Sequence, residues 1–386
     1  MEREFIPLSV PNIKGNELEY VTQAVKDEWV STGGSYIELF EKNISTYLGV
    51  EQAAAVQSGT AGLHLSLIQS GVGLGDEVFA ATLTFIAAVN PIRYVGAEPI
   101  FMDCDDSLCI DPDKLRQFIE EECTFKDGIL TNNHTNRQIK AILGVHVFGN
   151  LMDMEKLMVI AETYNLKLIE DATEALGSYY TQGKYKGEYA GTIGDFGVFS
   201  FNGNKIITTG GGGMVVAKKK EDLDYLKYLS TQAKDDTTSF IHHAVGYNYR
   251  MTNLQAALGV GQLESLETFI ATKKANFELY KEKFEQNKAI ELMDFNSTIR
   301  LNYWFYALLI KEEVDIQDLI KTLHGKGIQT RPIWGLIHEQ KPYLNAQSYK
   351  IEKASYYVKH ILNIPCSSNL QQEDVHYVAD CLNEIL

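Results

Sequence analysis

Short apolar segments alternate with amphipathic helical segments over the first half of the chain, and this alternation restricts the fold more than any other feature. The segments of strand length are residues 53–56, 78–81, 99–103, 139–146, 166–171, 196–201 and 214–217. Helical patterns separate the first five of them, near residues 61–70, 85–94, 111–123 and 153–164. Strands joined by helices pair in parallel and are covered on both faces. We therefore predict an α/β fold with a mostly parallel sheet sandwiched by helices.

The pattern changes after residue 253. A long helical stretch covers residues 254–284, and shorter apolar segments at 302–310 and 328–334 precede a final helix at 373–385. A chain of 386 residues also exceeds the usual size of one hydrophobic core. We predict a large domain, residues 1–253, followed by a connecting helix and a smaller C-terminal α+β domain, residues 254–386.

One lysine, Lys205, lies in the polar loop that follows the apolar run 196–201, and four glycines at 210–213 come soon after it. Glycines let the backbone approach a ligand closely, and loops of this kind often carry function. A lysine held there suits Schiff-base chemistry, which needs a neutral and nucleophilic amine. An isolated loop lysine is usually only solvated, so this hypothesis depends on the residues around it.

Asp171 ends the apolar run that begins at Leu166, and the pattern predicts a buried strand that ends in two acids, Glu170 and Asp171. An aspartate at this position can keep a pyridine nitrogen protonated. Pyridoxal phosphate (PLP) needs such a partner, because its cationic ring is the electron sink in transamination. A strand-end aspartate alone would be weak evidence, but together with Lys205 it favours a PLP site.

A small polar turn, residues 57–61, joins the strand predicted at 53–56 to the helix that follows it. The free N–H groups and the dipole at the start of a helix favour a bound phosphate. The alternative is a simple helix cap in which Ser58 or Thr60 is the capping residue.

These motifs, together with residues 169–178 and 246–253, occur in the order seen in one protein family. From about residue 6 to its end the chain resembles the DegT-type sugar-nucleotide aminotransferases, which are fold-type I PLP-dependent transferases. Within that family it is most similar to the 4-aminotransferases of the legionaminic acid and bacillosamine pathways. The resemblance implies transfer of an amino group from L-glutamate to the C4 ketone of a nucleotide-linked 4-keto-6-deoxy-2-acetamido hexose, with 2-oxoglutarate as the other product.

For the cofactor, the resemblance implies that Lys205 binds PLP covalently and then acts as the base that moves a proton. It implies that Asp171 pairs with the pyridinium nitrogen and that Glu174 lies near the phenolic oxygen, where many relatives have glutamine or histidine. The other expected cofactor contacts are the phosphate ligands and a ring-stacking aromatic residue: Gly59, Thr60, Ser200, Phe85 and, from the second subunit of a homodimer, Asn248.

For the sugar nucleotide, the resemblance points to two segments and one further arginine. The expected substrate contacts are Trp29, Val30, Ser31, Arg250, Arg331, Trp334 and His338. The planar guanidinium of Arg331 suits a phosphate or a carboxylate. Trp29 and Trp334 could instead pack between domains, Phe85 could be a core residue, and Asn248 could be a turn residue.

Charge and composition exclude several classes of function. The net charge of −16 argues against nucleic acid or an anionic membrane as partner. The five cysteines form no Cys-x-x-Cys pair, and the adjacent His242 and His243 lack a third ligand at metal spacing. The N-terminus shows no apolar core of signal-peptide length, and the longest apolar stretch, residues 78–89, is too short to span a membrane. We expect a cytoplasmic protein without a bound metal.

Three alternatives stay open. Residues 71–75, Gly-Val-Gly-Leu-Gly, are similar to a dinucleotide-binding fingerprint, but they follow a helix and lead into a strand, which favours a turn over a Rossmann dehydrogenase. A chain of the same fold could bind a sugar nucleotide without catalysis. Amination could also occur at a C3 ketone. The sequence does not decide between UDP and GDP as carrier, or the stereochemistry of the new amine.

Overall fold

The computed structural model describes residues 4–236, 238–295 and 297–386. Its α-helices are α1 Glu17–Lys26, α2 Ser35–Leu48, α3 Gly59–Gln69, α4 Asn90–Tyr94, α5 Pro112–Glu122, α6 Met154–Tyr164, α7 Lys220–Ser230, α8 Asn253–Glu264, α9 Leu266–Phe284, α10 Ile316–Gly325, α11 Lys353–His360 and α12 Gln372–Ile385.

The strands of the large domain are β1 Ala54–Val56, β2 Glu77–Ala81, β3 Glu98–Met102, β4 Cys123–Lys126, β5 Ile129–Asn132, β6 Arg137–Val145, β7 Lys167–Asp171, β8 Tyr179–Tyr180, β9 Phe196–Ser200 and β10 Gly213–Ala217. Those of the C-terminal part are β11 Ile290–Leu292, β12 Ile299–Arg300, β13 Tyr306–Ile310, β14 Arg331–Pro332, β15 Ser348–Tyr349 and β16 Ile361–Ile364.

The main sheet has ten strands within the described part of the chain. Eight of them lie in the order β1, β10, β9, β7, β6, β2, β3, β15, while β5 pairs antiparallel with β6 and β4 pairs antiparallel with β5. From β9 to β15 neighbouring strands are parallel, whereas β10 is antiparallel to both β9 and β1. Successive residues face opposite sides, and both sides are buried: Val198 packs in one hydrophobic cluster and Phe199 in another. The prediction of a mostly parallel sheet between helices is confirmed.

Helix α3 packs closely on this sheet because the residue at the contact is a glycine, which has no side chain to hold the helix away. A β-carbon on Gly62 would lie 2.8 Å from Val198 Cγ1 and 2.9 Å from Val215 Cγ2, which is too close for any other residue. The glycine-rich segment 71–75 forms the turn between α3 and β2, with positive φ at Gly71 and Gly75. The sequence interpretation of a turn is therefore confirmed.

The C-terminal part has its own sheet, in the order β11, β13, β16, β14, and neighbouring strands pair antiparallel. Helices α9 and α12 share a second hydrophobic cluster with this sheet, in which Tyr280, Tyr306 and Val378 are fully buried. This arrangement matches a small α+β domain.

Several contacts cross the predicted boundary at residue 253, which stays a prediction. Ile6 pairs with Ile328 of the C-terminal part, and its N–H donates to Gly327 O at 2.8 Å. Strand β15 joins the main sheet beside β3. The buried Asp103 carboxylate accepts the N–H groups of residues 352–354, at 2.8 to 2.9 Å, and so fixes the start of α11.

Two predicted helices are interrupted. The stretch 254–284 forms two helices, α8 and α9. Ser265 separates them, as the residue that caps the end of α8 and the start of α9. Residues 85–94 contain a short 3₁₀ turn, Ile86–Ala88, before α4, in which Pro91 lies in the first turn. Proline has no N–H to donate, so it starts a new helix more readily than it continues one.

Candidate active site

A cavity of about 830 Å³ lies at the carboxyl ends of β1, β7 and β9. These three strands run in the same direction, so the segments that follow them meet at one edge of the sheet. Open α/β sheets bind ligands at this edge. The far wall comes from the C-terminal domain and includes Trp304, Arg331 and Trp334. The volume suffices for a cofactor and a small substrate together.

Lys205 lies in this cavity, five residues after β9 ends. Its side chain is mostly buried, with 13% exposure. Its Nζ lies 3.6 Å from Glu174 Oε1 and 4.2 Å from the centroid of the Trp304 ring. The Trp304 indole is fixed in turn, because its Nε1–H donates to Asn204 O at 2.7 Å. The lysine amine therefore lies between a carboxylate and an aromatic face.

Asp171 ends β7 on the same wall and is 2% exposed. Its Oδ1 accepts the Thr173 N–H at 3.0 Å. Burial raises the pKa of the Asp171 carboxyl, while the bonds from Thr173 and the charge of Lys205 oppose that shift. A buried carboxylate stays ionised only with a cation or donors beside it. The residue therefore fits a group that brings a protonated ring nitrogen into the cavity.

The start of α3 also borders the cavity. Ser58 caps the helix, since its Oγ accepts the Ala61 N–H at 3.0 Å, and Gly59 and Thr60 line the cavity in the first turn. A β-carbon on Gly59 would lie 2.9 Å from Thr173 Cγ2 and 3.1 Å from Ser200 Cβ. Glycine thus lets the helix start approach β7 and β9, where first-turn N–H groups suit a phosphate.

Glu174 stands next to the lysine, at 4% exposure. Its Oε2 accepts the Phe148 N–H at 2.8 Å. Burial raises the pKa of the Glu174 carboxyl to about 7, even though the charge of Lys205 and the bond from Phe148 favour the ionised form. Glu174 can therefore hold or release a proton near neutral pH.

The sequence-predicted residues divide into two groups. Those that the structure brings together in the cavity are Gly59, Thr60, Phe85, Asp171, Glu174, Ser200, Lys205, Arg331 and Trp334. Phe85 is 53% exposed, so its ring is available to a ligand. Arg331 and Asn363 lie opposite each other in the pairing of β14 with β16, and both line the cavity.

The other predicted residues do not line the cavity of their own chain. Trp29 and Val30 are exposed by 61% and 44%, and the segment that ends at Ser31 is held to the start of α8 by Asn253. Asn248 is exposed, and its Oδ1 accepts Gln232 Nε2–H at 2.8 Å. His338 bonds through Nδ1 to Thr82 Oγ1 at 2.7 Å.

Arg250 requires a correction. Its guanidinium is buried, forms an ion pair with Glu41 and donates to Ala55 O at 3.1 Å. Glu41 also accepts the Ala55 N–H at 2.7 Å and the Lys227 ammonium at 2.7 Å. Removing a buried charge from such a network would be costly. The structure therefore gives Arg250 a structural ion pair instead of the expected place in the substrate site.

Sequence reasoning missed Trp304, which contacts Lys205 from the C-terminal domain. It is separated from Lys205 by about a hundred residues of sequence, and no local pattern links the two. Sequence reasoning also missed Asn363, which lines the cavity, and Phe148, whose backbone N–H donates to Glu174. A tryptophan in a Tyr-Trp-Phe-Tyr run was the only available signal, and core packing explains such a run equally well.

The comparisons with known proteins agree with this geometry. The profile of the DegT/DnrJ/EryC1/StrS aminotransferase family matches residues 11–383. The chain belongs to this family. It is therefore a sugar-nucleotide aminotransferase, and its cofactor is PLP, as the sequence predicted. The Rossmann dehydrogenase alternative is excluded. The chain belongs to the aminotransferase family, and the glycines that are similar to a dinucleotide fingerprint form a turn.

Two curated aminotransferase relatives extend over nearly the whole chain. GDP-perosamine synthase from Escherichia coli O157:H7 is 36% identical over 381 residues, which cover 99% of this chain and 98% of the relative. UDP-4-amino-4,6-dideoxy-N-acetyl-beta-L-altrosamine transaminase from Campylobacter jejuni is 31% identical over 396 residues, with 99% and 97% covered. The two relatives carry different nucleotides in their names, so they do not fix the sugar nucleotide of this aminotransferase.

A solved structure gives the same fold. The crystal structure of the aminotransferase TlmJ from Streptoalloteichus hindustanus superposes with a TM-score of 0.88 at 24% identity, covering 98% of this chain and 98% of that one. Among the described residues of the aminotransferase, no helix is long and apolar enough to cross a bilayer. No group of three metal-ligating side chains occurs within the same residues.

The raised pKa of Glu174 predicts a pH-dependent stability. The unfolded chain loses this proton near pH 4.5, but the folded chain retains it until about pH 7. The stabilisation is therefore complete below pH 4.5 and is lost as the pH rises through 7. Relative to Glu174→Gln, which cannot titrate, the cofactor-free wild type should lose about 3 kcal/mol of unfolding free energy between pH 4 and pH 8.

Urea unfolding of the two proteins at several pH values measures this difference directly. Titration of the other groups contributes equally to both proteins and cancels in the difference, so the Gln variant is the control for the wild type. A difference that stays constant from pH 4 to pH 8 would show that Glu174 titrates at its ordinary value.

Proposed function

We propose that this aminotransferase moves the amino group of L-glutamate to the C4 ketone of a nucleotide-linked 4-keto-6-deoxy hexose. We further propose that the sugar carries a 2-acetamido group, as in legionaminic acid and bacillosamine precursors. The observation that supports the chemistry most strongly is the presence of Lys205 and the buried Asp171 in one cavity at the carboxyl ends of parallel strands.

The residues of the chain fit defined tasks around PLP, which when bound supplies an electron-withdrawing ring and a reactive carbonyl carbon. Asp171 would hold the ring nitrogen in its protonated form. Lys205 Nζ would hold the cofactor and, once released, move a proton at the substrate carbon. Gly59, Thr60 and Ser200 would bind the phosphate at the start of α3, where donors are available.

Both substrates are anions, although the chain has a net charge of −16. Among the described residues that line the cavity, the cations are Lys205 and Arg331. Lys205 is needed for the chemistry, so Arg331 would receive a carboxylate of glutamate or a phosphate of the nucleotide sugar through its planar guanidinium. Trp334 lies beside it, packed on Phe148 with 4.9 Å between ring centroids, and would cover the sugar.

A GDP-linked sugar is a second candidate, supported by the 36% identity with a GDP-perosamine synthase. Amination at C3 remains the alternative for the position of the ketone. The substrate can vary in its nucleotide, its C2 substituent and the position of its ketone. Because these three features vary independently, an assay with a single sugar would not identify each of them. The expected cytoplasmic location stays a prediction.

An assay with a panel of sugars tests this function. The purified holoenzyme is incubated with L-glutamate and with GDP- or UDP-linked 4-keto-6-deoxy hexoses that carry a hydroxyl or an acetamido group at C2, together with a 3-keto sugar. We expect one C4-aminated, 2-acetamido product and one equivalent of 2-oxoglutarate, measured by mass spectrometry and NMR. Lys205→Ala is the control and should form no product, because it lacks the amine. Amination at C3 only, or no product from any sugar, would contradict the proposal.

We also propose that the active enzyme is a homodimer with composite sites, to which the partner subunit's Asn248 contributes. Asn248 is exposed and lies outside the cavity of its own chain, which supports this assignment. The side chains of Phe240, Ile241 and Val245 in the same loop are exposed by 68%, 47% and 84%. Apolar exposure of this kind is typical of a surface that pairs with another chain.

Mixed dimers test the composite site. Lys205→Ala and Asn248→Asp should each inactivate the enzyme, the second because the new carboxylate repels the phosphate. Exchange of subunits places both defects in one site and leaves the other site intact, as twofold symmetry requires. We expect a mixture of the two variants to regain up to about a quarter of wild-type activity, since half of the dimers are mixed and each has one intact site. An inactive mixture with proven exchange would contradict a shared site.

A further inference from the structure

The side chain of Lys205 ends between two buried groups, the Trp304 ring and the Glu174 carboxyl. Its Nζ faces the Trp304 indole at 4.2 Å from the ring centroid, while Glu174 Oε1 lies at 3.6 Å. All three residues are largely buried, with exposed fractions of 13% for the Lys205 side chain, 4% for Glu174 and 3% for Trp304. A desolvated cation gains from both an aromatic face and a carboxylate.

The two walls of this site are tied together by one buried side chain, Asn302. Its Nδ2 donates to Glu174 O at 2.8 Å and to Leu176 O at 3.0 Å, and its Oδ1 accepts the Trp304 N–H at 2.9 Å. Asn302 is fully buried, so each of these bonds lies in a low-dielectric interior. It therefore connects the segment after β7 with the C-terminal domain at the point where both contact the lysine.

We propose that Trp304 and Glu174 form a seat for the Lys205 ammonium, and that Asn302 is the positioning residue that keeps the seat closed. The seat stabilises every state in which the lysine is free, at the expense of the state in which it is linked to PLP. The inference rests on the proposed role of Lys205, but it does not depend on which sugar is the substrate.

The exchange of partners on the cofactor shows why this matters. The amino donor arrives as an ammonium ion and its nitrogen forms the new C=N bond, while the bond to Lys205 Nζ breaks. Two protons pass from the donor nitrogen to Nζ, so the lysine leaves as an ammonium ion, and it gives up one proton before it acts as the base at the substrate carbon. Protons balance, and no oxidant or reductant is needed. The seat receives the leaving lysine, so it favours the donor-bound and pyridoxamine phosphate (PMP) forms over the resting form.

Cofactor binding gives a readout that does not need turnover. PMP leaves Lys205 with a free ammonium group, whereas PLP forms a C=N bond with its nitrogen and so removes the ammonium group that the seat would stabilise. Trp304→Leu should therefore strengthen the binding of PLP relative to PMP by roughly tenfold, the scale of a desolvated cation–π contact. The ratio of the two dissociation constants is measured by absorbance and fluorescence titration of the cofactor-free protein, and any contacts that Trp304 makes with both cofactors cancel in it.

A double-mutant cycle isolates the contact. In the Lys205→Ala background there is no ammonium to seat, so Trp304→Leu should leave the ratio unchanged. Trp334→Leu is the matched control, because it also removes a cavity tryptophan, but the cation–π contact of Lys205 among the described residues is with Trp304; this variant should not change the ratio. If Trp304→Leu does not fold, Trp304→Phe keeps an aromatic ring and should shift the ratio in the same direction by less.

Asn302→Asp tests the positioning role, because it retains the acceptor for Trp304 and loses both donors. A purely structural asparagine would lower stability and leave the cofactor ratio unchanged, whereas a positioning residue shifts the ratio toward PLP. The proposal is overturned by an unchanged ratio in folded Trp304 variants, or by an equal shift with and without Lys205. Borohydride trapping of PLP on another lysine would overturn the seat and the Lys205 assignment together, whereas trapping on Lys205 with an unchanged ratio refutes only the seat.

Discussion

The parallel pairing of β7 with β9 is the interaction on which the site depends. Asp171 lies opposite Val198 in that pairing, so the aspartate is held at a strand end while β9 carries the chain on to Lys205. Strand β1 runs in the same direction and delivers the start of α3 to the same edge. Glycine at positions 59 and 62 lets that helix lie against the strands. Three segments far apart in sequence thus meet because one sheet orders them.

Burial makes these groups reactive and also makes them costly. Asp171 and Glu174 are carboxylates with almost no exposure, and burial raises the pKa of both. The charge of Lys205 favours the ionised form of both carboxyls and so offsets part of that cost. A ligand that brings a protonated nitrogen to Asp171 would relieve the rest. The protein alone thus supplies less positive charge than its two buried carboxyls need. A cofactor with a protonated ring nitrogen would supply the missing charge.

Much of the large domain could be predicted from sequence, because strand-end motifs such as Asp171 and Lys205 are short and carry their chemistry locally. The C-terminal wall could not be predicted in the same way. The Trp304 ring contacts Lys205, about a hundred positions away, and Asn302 donates to the backbone of Glu174 and Leu176, which are still more distant in sequence. The family resemblance pointed to Arg250 as a substrate contact, but the sequence does not reveal that Glu41 faces it. Ser265 interrupts a helical pattern that is continuous in hydrophobicity, since caps depend on local geometry more than on period.

The protonation state of the cofactor ring in the bound enzyme tests the central claim most directly. ¹⁵N-labelled PLP is bound to the wild type and to Asp171→Asn, and the ring nitrogen is observed by NMR at pH 8. If the buried Asp171 holds the ring nitrogen in its cationic form, the wild type will show a protonated nitrogen and the variant an unprotonated one. An unprotonated ring in the wild type, or a protonated ring in both proteins, would contradict the assignment of Asp171.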